Sequence, residues 1–250
     1  MSFINRDFLR GLYLTKVLSV SLIIFLLFGD YTIYADDVGG GSTPFHKGET
    51  IEYDIKKFGL KIGEARLVFE GHNSIEGRDS LLIIFTSTAP RFFDEEKIYL
   101  DPITYYPIMV KRNLNIFGRR EIIREDYSPA DGTVKIIKYV NGKESKQVIK
   151  KDRAMDNIYG FIYRYRKEGR FRIGETVKMF LPTKNIDITL IKQDKIRIAG
   201  KEYDTYFMQS MPPQYNIWFD TKGAKIPVRI DGSVGLKRTS MLLKSYNLSQ

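Results

Sequence analysis

The sequence predicts an all-β protein with one short helix, built as a large antiparallel meander curled into a barrel or half-barrel. Three observations predict it. Apolar and polar residues alternate with period 2 between turn signals from Gly48 to Tyr246. A set of short landmarks recurs in the same order in both halves of the chain. One segment alone, Asp156 to Arg166, has helical spacing.

The elements follow in chain order. Arg6, Arg10 and Lys16 precede an uncharged apolar run from Val17 to Phe28, and Ala35 closes the stretch with a small residue. That is the order of a secretory signal peptide, or of an N-terminal membrane anchor if it is retained. Residues 36–44, DDVGGGSTP, read as a flexible lead-in, and a single β-rich domain is expected over 45–250. Its first six strands are expected near 49–57, 61–70, 80–88, 94–100, 107–116 and 119–127. Asp131-Gly132 and Asn141-Gly142 carry hairpin chemistry, so 133–140 should be a strand paired on both sides, within a hairpin over 133–150. In the helical segment Ile158, Phe161, Ile162 and Tyr165 form one stripe, with Asp156 as the expected N-cap and Gly169 as the stop. Six more strands are expected near 175–181, 186–199, 202–209, 215–220, 226–232 and 236–246.

The recurring landmarks suggest a duplication. Phe45 to Ile51 (FHKGETI) returns as Phe171 to Val177 (FRIGETV), 126 residues later. Ile75-Glu76-Gly77 returns as Ile198-Ala199-Gly200, and Ile98-Tyr99-Leu100-Asp101 as Ile217-Trp218-Phe219-Asp220, at offsets of 123 and 119. Each match alone is an ordinary turn-to-strand signal; their common order carries the argument. A sheet of this many strands cannot stay open and flat, so it curls, closes or folds over on itself.

Composition narrows the function. The 250 residues include no Cys and two His, so disulfides, thiolate metal sites and a Cys nucleophile are excluded. His46 and His72 lack metal-ligand spacing, no phosphate-cradling loop precedes a helix, and no cofactor is expected. Adjacent Asp94, Glu95 and Glu96, and the duplicate-related Asp101 and Asp220, could supply a hydrolase pair, but the sequence places no two of them across a cleft. The net charge of +10 is concentrated: residues 110–172 hold 17 Lys+Arg against 8 Asp+Glu. A basic strip of Lys111, Arg112, Arg119, Arg120, Arg124, Lys135, Lys138, Arg164 and Arg166 is therefore expected to meet an anionic surface. Tyr99 and Trp218 are expected either in the core or against an apolar ligand. No nucleic-acid reader motif is present.

Gly48-Glu49 with Tyr53, Gly63 and Ala65, the Asp-led aromatic helix ending in Arg, Gly174-Glu175, and the closing Ile217-Trp218-Phe219-Asp220 with Pro227-Val228-Arg229-Ile230 resemble the domain of unknown function 3108 family over about residues 45–246. The family's helix has a small hydroxyl residue near Tyr159 and an Arg whose register falls between Arg164 and Arg166. The resemblance implies an exported bacterial β protein without an established activity. The expectation is a non-enzymatic protein of the periplasm or cell envelope. It would bind or shield an amphipathic or anionic lipid or glycan, taking the apolar part inside the sheet. The alternatives are an assembly module docking to another envelope protein and, third, a hydrolase. The N-terminal segment offers a further membrane contact.

Overall fold

The computed structural model describes residues 44–232 and 239–248; the expected signal or anchor segment lies outside them. Among the described residues one sheet of fourteen strands carries the fold. The first repeat supplies β1 (Glu49–Lys57), β2 (Leu60–Ile75), β3 (Arg78–Ala89), β4 (Phe92–Leu100), β5 (Pro107–Ile116) and β6 (Arg119–Ser128). The hairpin β7 (Thr133–Val140) and β8 (Lys143–Lys150) follows, then the helix α1 (Ile158–Glu168). The second repeat supplies β9 (Thr176–Leu181), β10 (Lys184–Ile198), β11 (Lys201–Met211), β12 (Asn216–Asp220), β13 (Pro227–Asp231) and β14 (Thr239–Asn247). Every pairing is antiparallel, and each strand joins its sequence neighbour except where β1 meets β14. The order runs from β8 through β1 and β14 to β9. The sheet is therefore not closed, and β8 and β9 are its two edges.

The two six-strand runs match at the turns of one end of the sheet. Gly48 and Gly174 both have positive φ (87° and 85°). The Gly48 N–H donates to the Phe69 carbonyl at 2.7 Å, and the Gly174 N–H to the Leu190 carbonyl at 2.8 Å. Glu76-Gly77 and Ala199-Gly200 both form turns with two positive-φ residues. The Asp101 N–H reaches the Tyr106 carbonyl and the Asp220 N–H the Ile226 carbonyl, each at 2.9 Å. In each case the aspartate side chain accepts from the backbone N–H two residues on. These aspartates are thus turn caps rather than an acid pair. Two sequence expectations need correction. Asp131-Gly132 is not a two-residue turn, since only Gly132 has positive φ and the connection runs from Pro129 to Gly132. The N-cap of α1 is Asn157, whose side-chain oxygen accepts from the Tyr159 and Gly160 N–H groups, while Asp156 is taken up elsewhere.

Alternation puts Ile51, Tyr53 and Ile55 of β1, Leu67 and Phe69 of β2, and Ile83 and Phe85 of β3 on the concave face, where all are buried. Helix α1 fills that concavity, and its residues Ile158 to Arg166 are all buried. Gly160 allows close contact: a Cβ there would stand 3.0 Å from a Leu100 methyl. Tyr163 packs on Phe45 and Phe69, while Tyr165 packs on Phe171 and Phe219, so the helix meets the equivalent residues Phe45 and Phe171 of both repeats. The interior expected to hold an apolar ligand is occupied by this helix.

Two ion pairs fix the helix. Arg166, with a side chain 0% exposed, pairs with Glu49 through both nitrogens at 2.7 and 3.1 Å. Arg164 pairs with Asp156 at 2.6 Å and lies over the Tyr106 ring. Both arginines therefore leave the basic surface expected of them, because α1 is buried from Ile158 through Arg166 and only its last turn, Lys167 and Glu168, reaches solvent. Breaking a buried pair leaves one charge without a partner. Arg166→Met or Glu49→Leu alone should cost ~3–5 kcal/mol in denaturant unfolding, and the double variant should recover most of that loss.

Candidate functional site

A closed ring of two six-strand repeats would pair β6 with β9. The inserted β7–β8 hairpin and the run into α1 prevent it. The segment between β8 and α1 bridges the gap instead. The Asp156 N–H donates to the Phe180 carbonyl at 2.7 Å, and the Phe180 N–H donates to the Asp156 carboxylate at 3.0 Å. Lys151 Nζ donates to the Leu181 carbonyl at 2.6 Å and to Asn185 Oδ1 at 2.7 Å. Above this bridge the seam widens into a cleft of about 310 Å³. Its walls include Glu96, Arg112, Glu125 and Tyr127 on one side and Lys184 and Tyr215 on the other.

Strand parity explains why charge lies inside. Asp94, Glu96 and Ile98 alternate on the concave face of β4, and they face Leu114, Arg112 and Val110 of β5. Val110 in turn faces Glu125 of β6. Arg112 donates to both oxygens of Asp94 at 2.7 and 2.5 Å, and meets Glu96 only at 3.4 Å. Asn157 Nδ2 donates to Glu96 at 3.3 Å, and the Tyr127 hydroxyl donates to Glu125 at 2.5 Å. Across the cleft, Lys184 Nζ donates to Gln214 Oε1 at 2.5 Å, and Gln214 Nε2 donates to the Tyr215 hydroxyl at 3.1 Å. Tyr215 stands 119 residues after Glu96, so the two repeats place equivalent positions on facing walls. Gly232 lets the backbones meet here, since a Cβ would lie 1.9 Å from the Gln214 carbonyl.

Burial dominates the protonation of this cleft. Desolvation pushes Glu96 up to about 7, against the pull of Arg112. It pushes Asp156 up to about 6, against Arg164, and raises Glu125, against the Tyr127 hydrogen bond. The Lys184 ammonium is lowered by burial, and Tyr215 is raised to about 12. Carboxyls raised by desolvation in a cleft make it a candidate functional site.

The basic strip is divided by the same parity. Arg112 and Lys138 face inward, and Lys138 pairs with Glu121 at 2.5 Å. Arg119 also pairs with Glu121, at 3.0 Å. Arg124 is spent on Asp126 and Glu76. Lys111, Arg120 and Lys135 remain exposed on the convex side. Tyr99 and Trp218 occupy equivalent buried places under that convex face. Tyr99 lies among Ile75, Leu82, Ile108 and Met109, and Trp218 between Phe207 and Arg229. Arg229 is held by Asp231 at 2.9 Å. Of the acids considered for hydrolysis, Asp94 and Glu96 reach the interior, while Glu95 points away. Sequence reasoning missed Glu125, Tyr127, Asp156, Lys184 and Tyr215; inward parity with Ile98 was the available signal for Glu96.

The profile of the family described as "Protein of unknown function (DUF3108)" matches residues 50–240. The chain belongs to this family. The Glu49–Arg166 pair joins two motifs of this DUF3108 chain, its first Gly-Glu turn and its helix. That identifies Arg166 as the helix arginine facing Glu49. No curated protein matches the sequence. A β-barrel-like protein of the DUF1849 family from Brucella abortus is similar at 11% identity and TM-score 0.49, over 82% of this chain and 99% of that one. A chain from Bacteroides fragilis, described as an inferred exported protein with a YmcC-like fold, is similar at 7% identity and TM-score 0.29, over 82% and 97%. An inferred lipoprotein from Parabacteroides distasonis is similar at 9% and 0.29, over the same shares.

Stability should follow the raised carboxyls. A carboxyl whose folded pKa exceeds its unfolded value stabilises most at low pH, and the contribution is lost as pH rises through the folded value. Unfolding free energy should therefore fall from about pH 4.5 to 7.5 on account of Glu96 and Asp156. Glu96→Gln should flatten that slope and be more stable than the parent at pH 8 by on the order of 2 kcal/mol. Denaturant unfolding at three pH values measures it.

Proposed function

We propose that the seam cleft is a binding site for a hydroxyl-rich, amine-bearing ligand of the envelope-glycan class, and that the protein acts outside the cytoplasm without turning the ligand over. The observation that carries this reading is the excess of carboxyl over cation. Arg112 is already neutralised by Asp94 and Lys184 on the facing wall donates to Gln214, which leaves Glu96 long contacts to Arg112 and Asn157 and Glu125 only a tyrosine hydroxyl. Such acids accept hydrogen bonds from hydroxyl and ammonium groups, and an ammonium would offset the desolvation that raises their pKa. Tyr127 and Tyr215 add ring edges and hydroxyls suited to a sugar. The apolar arginine-rich groove expected for a lipid is not the arrangement of these residues. The leader-like segment of the sequence supports export, and the family match supports no chemistry of its own.

The test is titration calorimetry with glucosamine oligomers, N-acetylated oligomers and neutral glucose oligomers. The amine-bearing series should bind most tightly, with affinity passing through a maximum near neutral pH, because Glu96 ionises as pH rises while the sugar amine loses its proton by about pH 8. Glu96→Gln and Glu125→Gln should each weaken binding about ten-fold, the loss expected for one charge-assisted hydrogen bond. Equal affinity for all three series, or for parent and variants, would sink the reading. Release of new reducing ends would move the protein to the hydrolases.

A further inference from the structure

In an antiparallel meander alternate turns fall at the same end of the sheet. The β1–β2, β3–β4 and β5–β6 turns therefore share one end, and the Phe117 N–H of the third donates to the Arg91 carbonyl of the second at 2.7 Å. This end carries three apolar side chains in open view: Phe58 is 78% exposed, Leu60 73% and Phe117 72%. The two phenylalanines also sit in backbone that disfavours them. Phe58-Gly59 and Phe117-Gly118 are turns with positive φ at both positions, 51° and 82°, then 53° and 88°. A turn of this kind prefers Asn or Asp first, and a bulky aromatic is an outlier there.

The turn itself does not ask for an aromatic. The same two-residue turn is made by Asn141-Gly142, Glu76-Gly77 and Ala199-Gly200. At Phe58 and Phe117 the chain accepts both a strained backbone and an exposed ring, with no packing in return. Strain kept at an exposed tip points to a use outside the fold.

The surrounding charge names the partner. These turns and their flanks hold Lys56, Lys57, Lys61, Arg91, Arg119 and Arg120. Lys61 is taken up by Asp54 and Glu64 and Arg119 by Glu121, so Lys56, Lys57, Arg91 and Arg120 carry the excess at the tips. Lys57 lies 5.9 Å over the Phe58 ring. At the opposite end the turns are mixed, with Glu76, Asp101, Asp131 and Asp220 among them. The exposed Ile103 and Ile173 there lie near Asp101 and Glu175 in sequence. Aromatic tips ringed by cations suit a surface that is negative outside and apolar just beneath. A protein groove would need acids placed to match Lys56, Lys57, Arg91 and Arg120, whereas an anionic bilayer meets them in any arrangement.

We infer that the Phe58, Arg91 and Phe117 turns form a docking end that inserts its two phenylalanines into the headgroup layer of an anionic phospholipid bilayer. The contact is separate from the cleft, so sugar binding and vesicle binding can fail independently. It is also separate from the N-terminal apolar run, and the test must tell them apart.

The full chain has no cysteine, so one can be added at a time and labelled with an environment-sensitive fluorophore. Phe58→Cys and Phe117→Cys report the docking end. Ala199→Cys occupies the same turn position at the other end and serves as the control. With phosphatidylglycerol vesicles the labels at 58 and 117 should shift to the blue and the label at 199 should not. Phosphatidylcholine vesicles should leave all three unchanged. Adding Phe58→Asn to the Phe117→Cys chain suits the turn, so folding is kept, and should weaken the vesicle-dependent shift about ten-fold. Labels at 58 and 117 that stay unshifted, or a label at 199 that shifts equally, would overturn the inference. The first result would assign the tips to a protein partner, and the second would assign vesicle binding to the chain outside them.

Discussion

Arg166 holds a full charge in an interior made of aromatic rings, and Glu49 is its ion-pair partner there. The rest of the architecture depends on that contact. A sheet of fourteen strands curls, but an unclosed curl leaves a concave apolar face that must be covered. Helix α1 covers it, and the Glu49 pair sets where along the sheet the helix lies. Without it the helix would be one more amphipathic segment against a broad apolar trough, free to slide by a turn. The pair also brings the first strand and the middle of the chain together across 117 residues.

The second constraint is the inserted hairpin. Two equivalent six-strand runs could form a ring, with β6 against β9. The β7–β8 hairpin occupies that position from one side only, so the ring stays open. The chain then spends Asp156 and Lys151 on bridging the gap. What remains of the opening is the cleft. Its carboxyls stand among inward apolar neighbours such as Ile98, Val110 and Leu114, and Arg112 is held by Asp94, so burial outweighs its pull on Glu96. The scaffold and the site thus share one origin: the interruption that stops closure also exposes the inner face of β4, β5 and β6.

Much of this was legible in the sequence. Twelve strand positions and the hairpin were visible from alternation and glycine turns, because each strand has one buried face. The repeat was visible because its landmarks are turns, and turn chemistry is local. The site was less legible. The basic excess of 110–172 is real in composition, but alternation sends Arg112 and Lys138 inside and Lys111 and Lys135 outside, and α1 buries Arg164 and Arg166. A linear count of charge cannot see that division. Asp156 has the side chain and place of a cap, but Asn157, one residue later, caps α1 and leaves Asp156 to Arg164 and Phe180. Glu125 and Tyr215 could not be joined to Glu96 without knowing which strands face each other across the seam.

Glu96 lies in a carboxyl-rich cleft where Arg112 is already committed to Asp94 and burial outweighs its pull. Carbon-13 NMR of the glutamate carboxyls, titrated from pH 3 to 9 with Glu96→Gln for assignment, tests it directly. The account predicts that Glu96 titrates near 7, about two to three units above an exposed glutamate. A midpoint near 4.5 would contradict it, since the cleft would then be wet or Arg112 would belong to Glu96 instead.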